Sequence, residues 1–318
     1  MTAPLRGPGF AKLRELADVV YDPWIEQSPL RIYSAEQLAD RIAAEGADVV
    51  VVESDSVAGP VFERGLRVIA STRGDPNNVD VAAATAAGVP VLNTPGRNAD
   101  AVAEMTVALL LAATRGLLPA DADIRSGNVF RDGTIPYQRF RSWEIAGRTA
   151  GLVGLGAVGR ATAWRLAGLG MRVIAHDPYN DDARHGLDEL LGEADVVSLH
   201  APVTDDTVGM IGAPQFAAMR DGAVFLNTAR AQLHDTEALV EALRGGKVAA
   251  AGLDHFVGEW LPTDHPLVGM PNVVLTPHIG GATWNTEARQ AQMVADDLQA
   301  LLAGDRPAHI VNPEVLAS

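Results

Sequence analysis

Through the middle of the chain, short apolar runs alternate with segments whose apolar residues recur at helical spacing. The runs Thr149–Val153, Met171–His176, Asp195–His200, Ala223–Asn227, Val248–Leu253 and Asn272–Thr276 predict strands, and Val158–Leu169 and Asp235–Arg244 predict helices between them. Near-continuous apolar strands separated by helices predict a parallel sheet covered on both faces. Right-handed crossovers make a doubly wound sheet its natural form.

The first hundred residues repeat the alternation more weakly. Asp48–Val52, Arg67–Ala70 and Val89–Leu92 read as strands, with Ala35–Ala44 and Val81–Ala87 as helices. Two longer helical patterns, Ala99–Thr114 and Thr283–Leu302, flank the central region, and Pro307–Pro313 reads as an extended segment able to pack back. The pattern predicts a discontinuous smaller domain from residues 1–98 and 287–318 around a central domain at 99–286, with the two long helices as bridges. The start is irregular. Met1–Phe10 is rich in Pro and Gly, and the first clear helix is Ala11–Ala17, so a first strand is either missing or unusual.

Composition narrows the class. Hydrophobic residues make up 47% and charged residues 20% of the 318 positions, as in globular proteins. The run Val107–Ala113 is far too short to span a bilayer, and Met1–Pro8 lacks a signal-peptide core, so a cytoplasmic protein is expected. A net charge of −15 argues against nucleic-acid or membrane partners. With no cysteine there are no thiol nucleophiles, disulfides or thiolate metal sites, and no metal is expected.

The candidate chemistry sits at predicted strand ends. Gly154-Leu155-Gly156-Ala157-Val158-Gly159 follows one strand and opens a helix, and Asp177 closes the next strand. Gly154 suits a tight turn, Gly156 a close approach of backbone to a pyrophosphate, and Gly159 tight helix–strand packing, with the phosphates at the helix N-terminus. A carboxylate at Asp177 accepts bonds from ribose hydroxyls and repels a 2′-phosphate, and Pro178-Tyr179-Asn180 adds no cation, so NAD is favoured over NADP. Arg230 follows the strand Ala223–Asn227 and offers a planar fork for a carboxylate and an adjacent carbonyl. His278, between Pro277 and the Gly280-Gly281 pair, can exchange a proton near neutrality. Glu259, in a loop after Gly252–Phe256, would fix the tautomer of His278 and favour the imidazolium if the two bond. Asp254 reads either as a partner for a nicotinamide carboxamide or as a solvated strand end.

With these residues assembled, the chain resembles the D-isomer-specific 2-hydroxyacid dehydrogenases over nearly its whole length. The likeness is strongest in Val91–Ala113, Ala150–Asp177, Asn227–Ala242, Ala251–Glu259 and Thr276–Thr283. It implies an α/β protein with two doubly wound parallel-sheet domains, a Rossmann NAD-binding domain and a smaller flavodoxin-like substrate domain with a cleft between them. It also implies a homodimer. The activity implied is NAD-dependent hydride transfer between a 2-hydroxy acid and its 2-keto acid, on the CH–OH group. By the resemblance, Arg230 binds the substrate, His278 is the acid and base, and Glu259 supports it. Cofactor contacts are implied for Thr106, Ala157, Val158, Asp177, Pro202, Thr207, Thr228, Ala229, Asp254, Gly280 and Gly281 beside the glycine motif. Substrate contacts are implied for Arg73, Gly74, Asp75 and Asn98.

The chain also departs from the family pattern. Ala231-Gln232-Leu233-His234 replaces the small glycines usual after the arginine, Trp260 the usual proline after the glutamate, and Arg73-Gly74-Asp75 a stretch of small apolar residues and glycines. A cation at Arg73, unless it merely pairs with Asp75, suits an anionic substrate with a second polar group, larger than glyoxylate or pyruvate. Two rival readings remain: a non-catalytic NAD(H)-sensing scaffold, and a dehydrogenase of the same architecture acting on another donor such as phosphite. Glu259 disfavours formate, because formate-type relatives carry glutamine there.

Overall fold

The computed structural model describes residues 1–317, and the chain divides into two compact units, Met1–Arg97 with Thr283–Ser318 and Asn98–Ala282. The divisions lie one and four residues ahead of the expected boundaries, at the caps of two long helices, Ala99–Arg115 and Trp284–Ala303.

In the smaller unit, strands β1 (Val49–Val52), β2 (Val68–Ser71) and β3 (Val91–Leu92) form a parallel sheet in that order. Alternate residues face two cores, one against the helix Ala35–Glu45 through Leu38 and Ile42, the other against Trp284–Ala303 through Val294 and Leu298. The strand order does not reverse, unlike the doubly wound pattern expected of this domain. The extended start explains why. The amides of Thr2 and Ala3 both point at the carbonyl of Val51, and Pro4 has no N–H, so no ladder propagates beside β1.

The first helix runs over Gly7–Leu16, four residues earlier than its pattern suggests, because Pro8 falls in the first turn where no amide bond is lost. Gly9 is required there: a Cβ would overlap the backbone of Ala291 and Gln292 on the facing helix. The tail packs back as an antiparallel bridge, Leu92 to Ile310, rather than as a strand.

The larger unit holds β4 (Thr149–Val153), β5 (Arg172–His176), β6 (Val196–Leu199), β7 (Ala223–Asn227), β8 (Val248–Leu253) and β9 (Val273–Leu275), all parallel, in the order β5-β4-β6-β7-β8-β9. Leu109, Leu110 and Leu166, from Ala99–Arg115 and Ala157–Gly168, cover one face, and Leu190, Phe216 and Leu239 cover the other. The order reverses at β4, so the carboxyl ends of β4 and β6 flank a topological switch point, where open α/β sheets bind ligands.

Candidate functional site

The turn after β4 is shaped by what its glycines exclude. Gly154 has φ +98°, and a Cβ there would lie 2.7 Å from the Ala201 amide nitrogen. A Cβ on Gly159 would overlap the Gly154 carbonyl, so helix Ala157–Gly168 starts close against the strand. Gly156 differs, because a Cβ there would meet nothing within 4 Å. Its backbone faces open space, and no side chain caps the helix N-terminus at Ala157 and Val158. Free first-turn N–H groups beside open space fit a pyrophosphate.

Asp177, at the end of β5, accepts from the Leu155 amide at 2.8 Å and the Tyr179 amide at 3.0 Å, one on each oxygen. A carboxylate so held retains lone pairs for ribose hydroxyls. Sequence neighbours give this loop no cation, but the fold does. Arg160, from the helix opening, reaches Asp182 at 2.9 Å and Asn180 at 3.1 Å. Beyond β6, Thr207 donates to the exposed Pro202 carbonyl at 2.7 Å. Thr106 and Thr228 are buried and share a 2.8 Å hydroxyl contact, while Ala229 bonds through its amide to Asn227.

The three candidate catalytic residues all belong to this unit. His278 Nδ1 lies 3.0 Å from Glu259 Oε1, and the two side chains are 44% and 57% exposed. Both have positive φ, +54° and +62°, which is uncommon outside glycine and clusters at functional sites. Arg230 is exposed after β7, its guanidinium donating to the Ala229 carbonyl at 2.6 Å.

Asp254 is neither a solvated strand end nor free. It is 1% exposed, and its carboxylate accepts from Thr276 Oγ1 at 2.6 Å, the Ile279 amide at 3.0 Å and the Gly280 amide at 2.7 Å. It therefore clamps the loop that carries His278. Gly280 needs its small size here, since a Cβ would lie 2.8 Å from Asp254 Oδ2. Gly281 packs against Asn98, whose side chain leaves the helix N-cap unbonded.

Sequence reasoning missed His255. This ring is 4% exposed and lies against His278, with centroids 3.9 Å apart and planes tilted by 52°. Burial first, then the neighbouring His278 and Arg230, lower its pKa to about 4, so it is neutral at pH 7. Donor atoms of His255, Glu259 and His278 lie within 4.8 Å of one another, close enough to hold a metal ion.

In the smaller unit, Arg73 donates to the Glu53 carbonyl at 2.6 Å and to Asn77 Oδ1 at 2.7 Å. The expected alternative, an ion pair with Asp75, is not formed; the guanidinium bonds to Glu53 and Asn77 instead. The Gly74 carbonyl accepts from Asn93.

Comparison with known proteins identifies the family. The family model described as D-isomer specific 2-hydroxyacid dehydrogenase, NAD binding domain, matches residues 107–280. The chain is 36% identical to a glyoxylate reductase of Korarchaeum cryptofilum, covering 97% of this chain and 93% of that protein. It is 38% identical to a D-3-phosphoglycerate dehydrogenase of Mycobacterium tuberculosis, covering 93% of this chain and 56% of that longer protein. Among solved structures, a D-isomer specific 2-hydroxyacid dehydrogenase from Lactobacillus delbrueckii in its NAD-complexed form aligns with a TM-score of 0.78 at 29% identity, over 96% of both chains.

Proposed function

Since the chain belongs to the D-isomer specific 2-hydroxyacid dehydrogenase family and is an NAD-dependent oxidoreductase, we propose that it interconverts a small, polar D-2-hydroxy acid and its 2-keto acid. The observation that carries this reading is the His278–Glu259 pair at 3.0 Å, on a loop clamped by Asp254, in the unit that carries the glycine-rich turn.

The amides of Ala157 and Val158 would hold the pyrophosphate of NAD, and Asp177 would take its ribose hydroxyls. NAD supplies or accepts the hydride when bound. Arg230 binds the substrate carboxylate and steadies charge on the reacting oxygen. His278 gives a proton to that oxygen in reduction and takes it in oxidation through Nε2, because Nδ1 faces Glu259. Glu259 fixes that tautomer. We assign Asn98 and, in the smaller unit, Arg73, Gly74 and Asp75 to the substrate, with Arg73 for a second anionic or strongly polar group.

A scaffold that only senses NAD(H) has no use for a proton-transfer pair held at uncommon backbone angles. We read the protein as a homodimer. The exposed side chains of Leu117, Ile124, Phe130 and Tyr137, in the larger unit, support that reading. Sedimentation equilibrium checks it, and a monomer at micromolar concentration refutes it. The test of function is a panel of 2-keto acids with NADH, followed by absorbance loss. Turnover should favour dicarboxylic, phosphorylated or sugar-derived acids over glyoxylate and pyruvate. No turnover on any member, with NADH bound, would leave the sensing scaffold standing.

A further inference from the structure

Glu259 and His278 are both about half exposed, and an ion pair between such side chains does little by itself to order them. Asp254 fixes the backbone on either side of His278 through Thr276, Ile279 and Gly280. It does not reach the imidazole. The buried group that does is His255, whose ring lies against that of His278 with centroids 3.9 Å apart and planes tilted by 52°. One ring is enclosed by the protein and the other is half in solvent, so the first sets the orientation of the second.

We propose that His255 is a positioning residue, whose buried ring holds the His278 imidazole in the orientation that points Nδ1 at Glu259 and leaves Nε2 for the substrate. The proposal rests on the reading of His278 as the acid and base. The charges around His255 suit the task. Arg230 faces it as a cation, and Asp254 beside it carries the opposite charge. Burial keeps its proton off at neutral pH, with a pKa of about 4. An uncharged ring can stay against His278 while His278 gains and loses a proton. A second imidazolium there would repel the first.

The test compares wild type with His255→Ala, which removes the ring, and His255→Phe, which keeps a ring of similar size but no ring nitrogen. His255→Ala should lower kcat about tenfold or more, since small misplacements of a catalytic group are costly, with KM and NADH affinity little changed. His255→Phe should recover much of kcat. Nitrogen-15 spectra of the histidine rings should show one His278 tautomer in the wild type and averaged tautomers in His255→Ala. Thermal melts confirm that both variants fold. A kcat in His255→Ala equal to wild type, or an unchanged His278 tautomer, overturns the positioning role. A kcat loss that the phenylalanine does not relieve also overturns it. The catalytic reading fails differently: the wild type would turn over no 2-keto acid, or His278→Asn would keep full activity, and in either case the ring spectra still decide what His255 does.

Discussion

Two loops, one in each unit, follow strands of a parallel sheet and carry residues assigned to the substrate, yet they are built in opposite ways. The His278 loop after β9 hangs on a buried carboxylate: Asp254 is 1% exposed and satisfies three donors from that loop. The Arg73 loop after β2 has exposed Gly74 and Asp75 and is tied by the Arg73 side chain to Glu53 and Asn77 and by its own carbonyls to Thr94 and Asn93. A buried charge fixes geometry because each stranded donor carries a desolvation penalty. A surface guanidinium can change partners at little loss. The first construction suits a proton transfer common to a family of reactions, and the second suits a specificity that differs between members.

The sharpest way to break this contrast is to remove the buried carboxylate. Asp254→Ala strands the Thr276 hydroxyl and the Ile279 and Gly280 amides, at about 1–3 kcal/mol each. Urea unfolding should show a loss of several kcal/mol, and turnover should fall with it. Asp75→Ala, an exposed change in the other loop, should stay within about 0.5 kcal/mol of wild type. Equal effects would mean that the loops are held alike.

Next in size is His278→Asn, which keeps the loop and removes the proton carrier. Its kcat should fall by about 10² to 10⁴, while NADH titration followed by fluorescence gives a wild-type affinity. Glu259→Gln should lose less, because the tautomer can still be held by a hydrogen bond. Wild-type turnover in His278→Asn would refute the mechanism.

The sheet of the larger unit was legible because its strands are buried on both faces. The runs Thr149–Val153, Ala223–Asn227 and Val248–Leu253 coincide with β4, β7 and β8. The glycine turn was legible because Gly154 and Gly159 answer to steric demands that no other residue meets. The first helix was placed late because the need for Gly9 arises from a helix more than two hundred residues away, which no local pattern carries. His255 was passed over for a similar reason. One imidazole after a strand-end aspartate says nothing until the chain folds it onto His278. Arg160 likewise meets the Asp177 loop only in three dimensions.

A smaller effect separates the units by acid sensitivity. His200, His234 and His255 all lie in the larger unit, and burial lowers each pKa from 6.5 to about 4. Between those values the unfolded chain binds more protons than the folded one, so their contribution is intact above pH 6.5 and is lost as pH falls towards 4. Each histidine accounts for about 3 kcal/mol at most. His234 tests this singly. Its Nδ1 meets Asn227 at 3.0 Å, while its Nε2 is buried without a partner. His234→Val should flatten the dependence of Tm on pH between 6.5 and 4. A slope identical to wild type would place the acid sensitivity elsewhere.

The smallest effect concerns Arg73 and decides whether the second loop sets specificity. The guanidinium is bonded to a backbone carbonyl and an amide oxygen, neither of which cancels its charge. Against a net charge of −15, such a cation is a rare attraction for an anionic substrate. A charge-assisted bond to a second anionic group is worth about 1.5–3 kcal/mol, so Arg73→Ala should raise KM for a dicarboxylic or phosphorylated 2-keto acid by roughly tenfold or more. KM for pyruvate or glyoxylate, which offer no second group, should barely move, and kcat for both should hold. Arg73→Lys keeps the charge but not the fork, so it should fall between. Asn77→Ala separates charge from anchoring: it frees one side of the guanidinium and leaves its charge in place, so substrate preference should survive while KM rises modestly. If Arg73→Ala raises KM equally for large and small acids, the arginine only braces its loop, and the two loops differ in construction but not in task.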